Sequence, residues 1–323
     1  MTTGILLLNL GGPDSLGAVR PFLFNLFSDR DIIRLGPGPL QKPLAALIAA
    51  LRGRKTREYY RLIGGKSPLL EITQAQADAL EEALKPLVSR EGAARPLKVY
   101  VGMRYWKPFI ETAVARMHSD GVRRVLALSL YPQYSVATTG SSVRRFKDVV
   151  SGFPMDHVCM TSWFDHPLYI EALAERIREG LAWFEKPPVV LFSAHSLPQK
   201  FIDEGDPYAK ETEGTIAAVT RKLDIDWRLS YQSKTGPVKW LEPTTEHMLR
   251  ELAGQGVKDL LVVPISFVSD HIETLYEIDI LYKEMAAGLG VTLKRARSLN
   301  TSERFVRALA DMVVNALQRE KWL

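Results

Sequence analysis

The chain has a single cysteine, Cys159, among 323 residues. One thiol excludes an intramolecular disulfide and any four-thiolate metal centre built from this chain alone, since an iron–sulfur cluster of that kind needs four Cys ligands. Long apolar runs are also scarce. The greasiest segment after the first strand, residues 40–51, is interrupted by Gln41 and Lys42 and is shorter than the about 20 residues a membrane-spanning helix needs. A charged start, an apolar stretch and a small-residue cleavage site are all missing, so a reducing cytoplasm is the expected compartment. No G-x-G-x-x-G fingerprint occurs, which argues against a dinucleotide cofactor. Gly64-Gly65-Lys66-Ser67 lacks the first glycine of a phosphate loop, whose place Tyr60 holds, and residues 57–63 before it read as helix rather than strand.

What is present is an ordinary globular composition, 46% hydrophobic and 24% charged, in a chain long enough for two domains with separate cores. The net charge of +5 favours anionic ligands or surfaces without forming a nucleic-acid footprint. Apolar segments that read as buried strands recur at residues 4–10, 97–103, 124–131, 158–163, 188–192, 228–232, 260–267 and 291–296, with helical patterns between them. Strands alternating with helices imply βαβ units and parallel sheets. The eight divide as four and four, an α/β chain of two Rossmann-like domains at 1–163 and 164–323, with the C-terminal helix free to pack across the domains. Pro167 is placed to open a helix running to about Trp183.

Polar and aromatic residues gather just after these strands. Gly11-Gly12-Pro13, Arg104-Tyr105-Trp106 and Pro132-Gln133-Tyr134-Ser135 follow in the first half; Ser193-Ala194-His195-Ser196-Leu197-Pro198, Gln232-Ser233-Lys234-Thr235-Gly236-Pro237 and residues 266–273 follow in the second. Ligands of open α/β sheets bind beyond the carboxyl ends of the strands, so two such edges facing each other would form an interdomain cleft. An imidazole titrating near pH ~6.5 can take a proton or ligate a divalent cation, and both jobs are open to His195.

Asp270 and Glu273 fit two descriptions. The spacing is that of a capping box, which would spend both on backbone N–H groups at a helix start. Asp270, Glu273 and Glu277 also follow i, i+3, i+7 spacing, which would line three carboxylates along one helix face beside His271. Like charges so placed repel, and a cation or a shifted proton would relieve them. In Thr138-Thr139-Gly140-Ser141-Ser142 the hydroxyls are read first as helix N-caps, and second as an anion cradle. Leu40, Leu44, Leu47, Ile48 and Leu51 form an apolar stripe at helical spacing, followed by Arg52, Arg54, Lys55 and Arg57. Packing onto the core is the commoner fate of such a stripe; the basic flank also permits contact with a membrane or a greasy pocket lip.

Taken together these motifs resemble the ferrochelatase family along almost the whole chain. They include Leu8-Asn9-Leu10-Gly11-Gly12-Pro13, the run from Tyr59 to Pro68, Val101-Gly102-Met103-Arg104-Tyr105, Tyr131 to Ser135 with Thr138 to Ser142, Ser193 to Pro198, Gln232 to Pro237, and Pro264 to Asp279. The resemblance implies the chelatase fold, with two Rossmann-like domains around a porphyrin cleft. It implies insertion of ferrous iron into a porphyrin with release of two protons, iron being a substrate. His195 and Glu273 correspond to the family's central pair and Asp270 to its third polar residue, with His195, Glu273 and Glu277 as metal-handling groups. Leu10, Arg104, Tyr105, Trp240, Phe267 and His271 fall at porphyrin-contacting positions, and residues 40–51 at a hydrophobic lip that touches the membrane in some members.

Two departures stand out. The chain carries none of the C-terminal cysteines that hold an iron–sulfur cluster in some relatives, so no cofactor is expected. Four residues beyond Glu277, where relatives often carry another acid, stands Leu281, with Glu284 further on. Protoporphyrin IX is the expected ring, because an apolar lip suits the less charged substrate. Coproporphyrin III, a cobalt chelatase and a non-catalytic tetrapyrrole carrier are the alternatives.

Overall fold

The computed structural model describes residues 2–90, 97–234, 236 and 238–323. The chain divides after Trp163 into two compact units, and residues 300–323 return to the first. In the first unit β1 (Thr2–Asn9), β2 (Lys98–Met103), β3 (Val122–Ser129) and β4 (Asp156–Met160) form a four-stranded sheet in the order β2-β1-β3-β4. In the second, β5 (Val189–His195), β6 (Trp227–Gln232), β7 (Asp259–Pro264) and β8 (Thr292–Arg295) follow the order β6-β5-β7-β8. Every pairing is parallel. This is the α/β class expected from the apolar runs, and the reason is visible in the cores. Ile5, Leu6, Leu7 and Leu8 are all 0% exposed, because helices cover both faces of a parallel sheet and its strands read as unbroken apolar runs.

The strand ends shift by a few residues. β7 stops at Pro264, short of the expected 267, since proline has no N–H to carry the ladder onward. β5 instead runs on to His195, whose Cα pairs with Gln232 on β6. On the other side of β5, Ser193 pairs with Pro264. That register decides which loops meet at the carboxyl edge of the second sheet.

The last helix, Glu303–Arg319, follows the second unit in sequence but packs with the first. It buries Phe305, Leu309, Val313 and Leu317 and contacts helix Leu69–Arg90 and β3 of the first unit. The Phe305 ring lies 6.1 Å from that of Trp163, and Gln76 Nε2 donates to Asn300 O at 2.8 Å. A strongly amphipathic helix goes where its apolar face is covered, whatever its neighbours in sequence.

Helix Gln41–Leu62 corrects the reading of the leucine stripe. Its packed residues are Gln41, Ala45, Ala49, Gly53 and Tyr60, a row of mostly small side chains against helix Val19–Ser28. Leu40, Leu47 and Leu51 remain 51%, 55% and 72% exposed. No described helix is long and apolar enough to cross a membrane.

The Gly11-Gly12 pair after β1 is steric. Gly11 sits at φ +87°, and a Cβ on Gly12 would collide with the Ser67 side chain. Ser67 N donates to Pro13 O at 2.8 Å, so the second glycine motif closes directly on the first.

Candidate active site

In the second unit three loops converge on His195. Its backbone N–H donates to Ser266 Oγ at 3.2 Å, and Tyr208 Oη donates to its carbonyl at 2.8 Å while lying 2.6 Å from Ser266 Oγ. Ser196 N donates to Gln232 O at 2.8 Å. The strand end is therefore tied down on both sides, and the imidazole projects from a fixed backbone. Tyr208 was not identified from the sequence; it comes from helix Tyr208–Thr220, with no motif to mark it.

His195 Nδ1 lies 2.8 Å from Glu273 Oε2, with the ring 31% and the carboxyl 18% exposed. Burial disfavours charge on either group, yet each offsets the other. Glu273, through its charge and its hydrogen bond, raises the His195 pKa. Against burial, the His195 ring, then His271 and the Ser233 hydroxyl, hold the Glu273 carboxyl down at about 2. The charged form of each is favoured by the other and opposed by burial.

Ser233 completes the set. Its Oγ is 2.8 Å from Glu273 Oε2 and 2.6 Å from Glu277 Oε2. A hydroxyl has one proton and can donate to only one of them, so the second contact calls for a proton on a carboxyl. Glu277 carries it: burial and the charge of Glu273 push it up to about 8. The proton order then runs from Glu277 to Ser233 Oγ, from Ser233 to Glu273, and from His195 Nδ1 to Glu273. Ser233 adopts φ +68°, a left-handed conformation that costs a non-glycine residue energy and is common at functional sites. Its place after β6, in the polar run that begins at Gln232, was its only signal in the sequence. Thr235 and Pro237 of that run lie outside the described residues.

The capping-box reading of Asp270 and Glu273 fails. The helix begins at Glu273, its N-cap Ile272 has no side-chain capping bond, and the turn is the wide π form through Tyr282. Asp270 lies before it, so three carboxylates do not share one face. Thr274 plays the local role instead, its Oγ1 accepting from His271 N at 3.1 Å and donating to Asp270 Oδ1 at 3.1 Å. Asp270 is also bound by Arg295 Nη1 at 2.9 Å and Ser298 Oγ at 2.7 Å. Thr274, Arg295 and Ser298 thus all converge on its Oδ1.

His271 is buried, and burial lowers its pKa. Nδ1 must carry the proton it gives to Ser269 O at 3.1 Å, which leaves a bare lone pair on Nε2, a buried atom without a hydrogen-bond partner. Phe267 packs across its ring at 4.2 Å between centroids and lies 6.1 Å from that of His195. Trp240 is buried, and its Nε1 too lacks a partner. Among the described residues no group of three or more His, Cys, Asp or Glu side chains forms a ready metal cage. His195 and Glu273 turn toward one another rather than toward a common point.

Arg104 and Tyr105, expected as ligand contacts, form their own centre in the first unit. Asp29 Oδ2 accepts from Arg104 Nη2 at 2.7 Å, Tyr105 Oη at 2.6 Å and Ser141 Oγ at 2.6 Å. Burial opposes its charge, but these donors bring its pKa below the usual value. Arg104 therefore presents a charge already offset by Asp29, a partner the sequence did not reveal. Leu10 is half-buried and accepts from Tyr105 N at 2.9 Å. Arg104 and Tyr105 line a cavity of about 520 Å³ with Phe24, Asn25 and Arg145. Of the hydroxyls between 138 and 142, neither described reading holds for two: Ser141 serves Asp29, and Thr139 Oγ1 bonds Ser129 Oγ at 2.8 Å.

The ferrochelatase family profile matches residues 2–317. The chain is similar to curated ferrochelatases of Geotalea uraniireducens, 51% identical over 98% of this chain and 99% of that one, and Geobacter metallireducens, 53% identical over 97% and 98%. Among solved structures it is similar to SirB from Bacillus subtilis with Fe³⁺, with a TM-score of 0.56 at 11% identity over 97% of this chain and 94% of that one. CbiX, described as the terminal enzyme for biosynthesis of sirohaem in denitrifying bacteria, gives 0.51 at 13% identity over 98% and 100%. At such identities the two structures speak for the fold alone.

Proposed function

The chain belongs to the ferrochelatase family, enzymes that insert iron into a porphyrin to make haem, and from that premise we propose that His195, Glu273 and Glu277 carry the reaction here. The observation that supports this most is the 2.8 Å His195–Glu273 pair joined through Ser233 to Glu277. Two pyrrole protons must leave as Fe²⁺ enters, so the site has to take up protons and tolerate a dication. A raised pKa makes His195, once it has released its own proton, a stronger base toward a pyrrole N–H.

Glu277 supplies the complementary function. Its proton, held near neutrality by the charge of Glu273, is released when a cation replaces that proton as the source of charge balance. Carboxylate and imidazole are ligands that Fe²⁺ accepts, though they do not select it over neighbouring metals. Phe267 and Trp240, with the His271 Nε2 lone pair, are assigned to the macrocycle in the second unit; Leu10, Arg104 and Tyr105 are assigned to it in the first. Asp270 is read as a third polar residue that acts on the approach of metal or proton.

Protoporphyrin IX is the proposed ring. The exposed leucines on helix Gln41–Leu62 support the less charged substrate, and with Arg52, Arg54 and Lys55 beside them they also suit an anionic lipid surface. Anaerobic incubation with Fe²⁺ and protoporphyrin IX or coproporphyrin III in turn, following loss of free-porphyrin fluorescence, tests the assignment. Faster turnover of protoporphyrin is expected, with a loss of about 100-fold or more in His195→Ala. A folded His195→Ala protein working at the parental rate would refute the role of the pair.

A further inference from the structure

We propose that Arg295 is a positioning residue for metal insertion, a clamp that ties Asp270, ahead of the acid-bearing helix, to Asp279 on its far side. This rests on the reading of Glu273 and Glu277 as the working acids. Arg295 is the last residue of β8, in register with Val262 on β7, and its side chain is only 10% exposed. Its Nε and Nη2 donate to Asp279 Oδ1 and Oδ2 at 2.9 and 2.7 Å, a two-pronged match of planar fork to carboxylate. The remaining nitrogen, Nη1, donates to Asp270 Oδ1 at 2.9 Å and Ser298 Oγ at 3.1 Å.

Asp279 lies two residues beyond Glu277, about half a turn around a helix. The helix is therefore held from opposite sides: Glu277 meets Ser233 on one, and Asp279 meets Arg295 on the other. The wide π turn is a rare and locally unfavourable conformation, and its N-cap offers no side-chain bond. Beyond the Thr274–His271 bond at its start, its register is held by tertiary contacts. Arg295 provides them at two points, directly through Asp279 and, through Asp270, to Thr274 in the first turn. A roll of this helix would move Glu273 off the 2.8 Å contact with His195 and carry Glu277 away from Ser233.

Lysine keeps the charge at this position but lacks the fork, so it cannot hold both carboxylates at once. The test measures metal insertion in Arg295→Lys, Arg295→Gln, Asp279→Asn and Asp279→Glu, together with porphyrin affinity by fluorescence and thermal unfolding of each variant. Expected is a kcat about tenfold or more below the parent for Arg295→Lys and Arg295→Gln, with the porphyrin KM within about twofold. Asp279→Glu should recover most of what Asp279→Asn loses. A folded Arg295→Lys protein with parental kcat would overturn the clamp while leaving the proposed function standing. A kcat that falls only in step with the folded fraction would also overturn it, because that is what a merely structural residue gives. An inactive parent would remove the underlying reading, and the clamp with it.

Discussion

Replacing Glu277 with glutamine should make the protein more stable than the parent at neutral pH, by a margin that grows with pH. The raised value, from an ordinary 4.5 to about 8, amounts to roughly 5 kcal/mol against the ionised carboxyl at ~1.4 kcal/mol per pH unit. The folded state binds this proton more tightly than the unfolded chain does. Parental stability from this group is therefore intact below pH 4.5, falls as pH rises toward 8, and falls no further beyond. Glutamine keeps the shape and has nothing to lose. Because the carboxyl is half-buried and shares its charge with Glu273, the expected slope is reduced to about 1 kcal/mol per pH unit. Urea unfolding of both proteins, followed by tryptophan fluorescence at about pH 5.5 and about pH 7.5, should show the gap widening by ~2 kcal/mol in favour of Glu277→Gln. A gap that stays constant between those values would refute the protonated Glu277, and with it the proton order through Ser233. Metal insertion by the same variant should be impaired, since the group that stabilises the fold when neutralised is the one proposed to release a proton.

Two further substitutions probe the centres directly. Ser233→Ala removes the hydroxyl shared by Glu273 and Glu277, a charge-assisted contact of about 1.5–3 kcal/mol; insertion rates measured by fluorescence should fall about 10- to 100-fold, and a parental rate would count against the relay. Asp29→Ala strips the acceptor from Arg104, Tyr105 and Ser141 and leaves a guanidinium with its side chain only 21% exposed without its carboxylate; thermal or urea unfolding should show a loss of about 2–4 kcal/mol, and a change below about 0.5 kcal/mol would show that the first-unit network is not coupled to the fold.

Much was legible in the chain because the relevant signals are local. Buried parallel strands need continuous apolar residues, so all eight could be placed, and the missing glycine fingerprint argued against a dinucleotide cofactor. His195 could be located because it ends such a strand. What failed were patterns with two physical solutions. Asp270 and Glu273 have the spacing of a capping box, but that box presumes an α-helix beginning at Asp270, and the chain starts a wider turn three residues later. The leucine stripe of residues 40–51 has helical period, but period does not say which face packs, and the small residues Ala45, Ala49 and Gly53 admitted the closer neighbour.

By itself, then, the sequence determined the α/β class, the strand inventory, the edges where polar residues gather and, through its motifs, the family. Tertiary structure decided what depends on distance and burial. The β5–β6 register set His195 beside Gln232 and so brought Ser233 to both glutamates. Enclosure together with one neighbouring charge drove two glutamates four residues apart to opposite protonation states. The same closure of the fold carried the last helix back to the first unit and set Arg295 behind the acid-bearing helix, contacts between residues whose separation along the chain leaves no periodic trace.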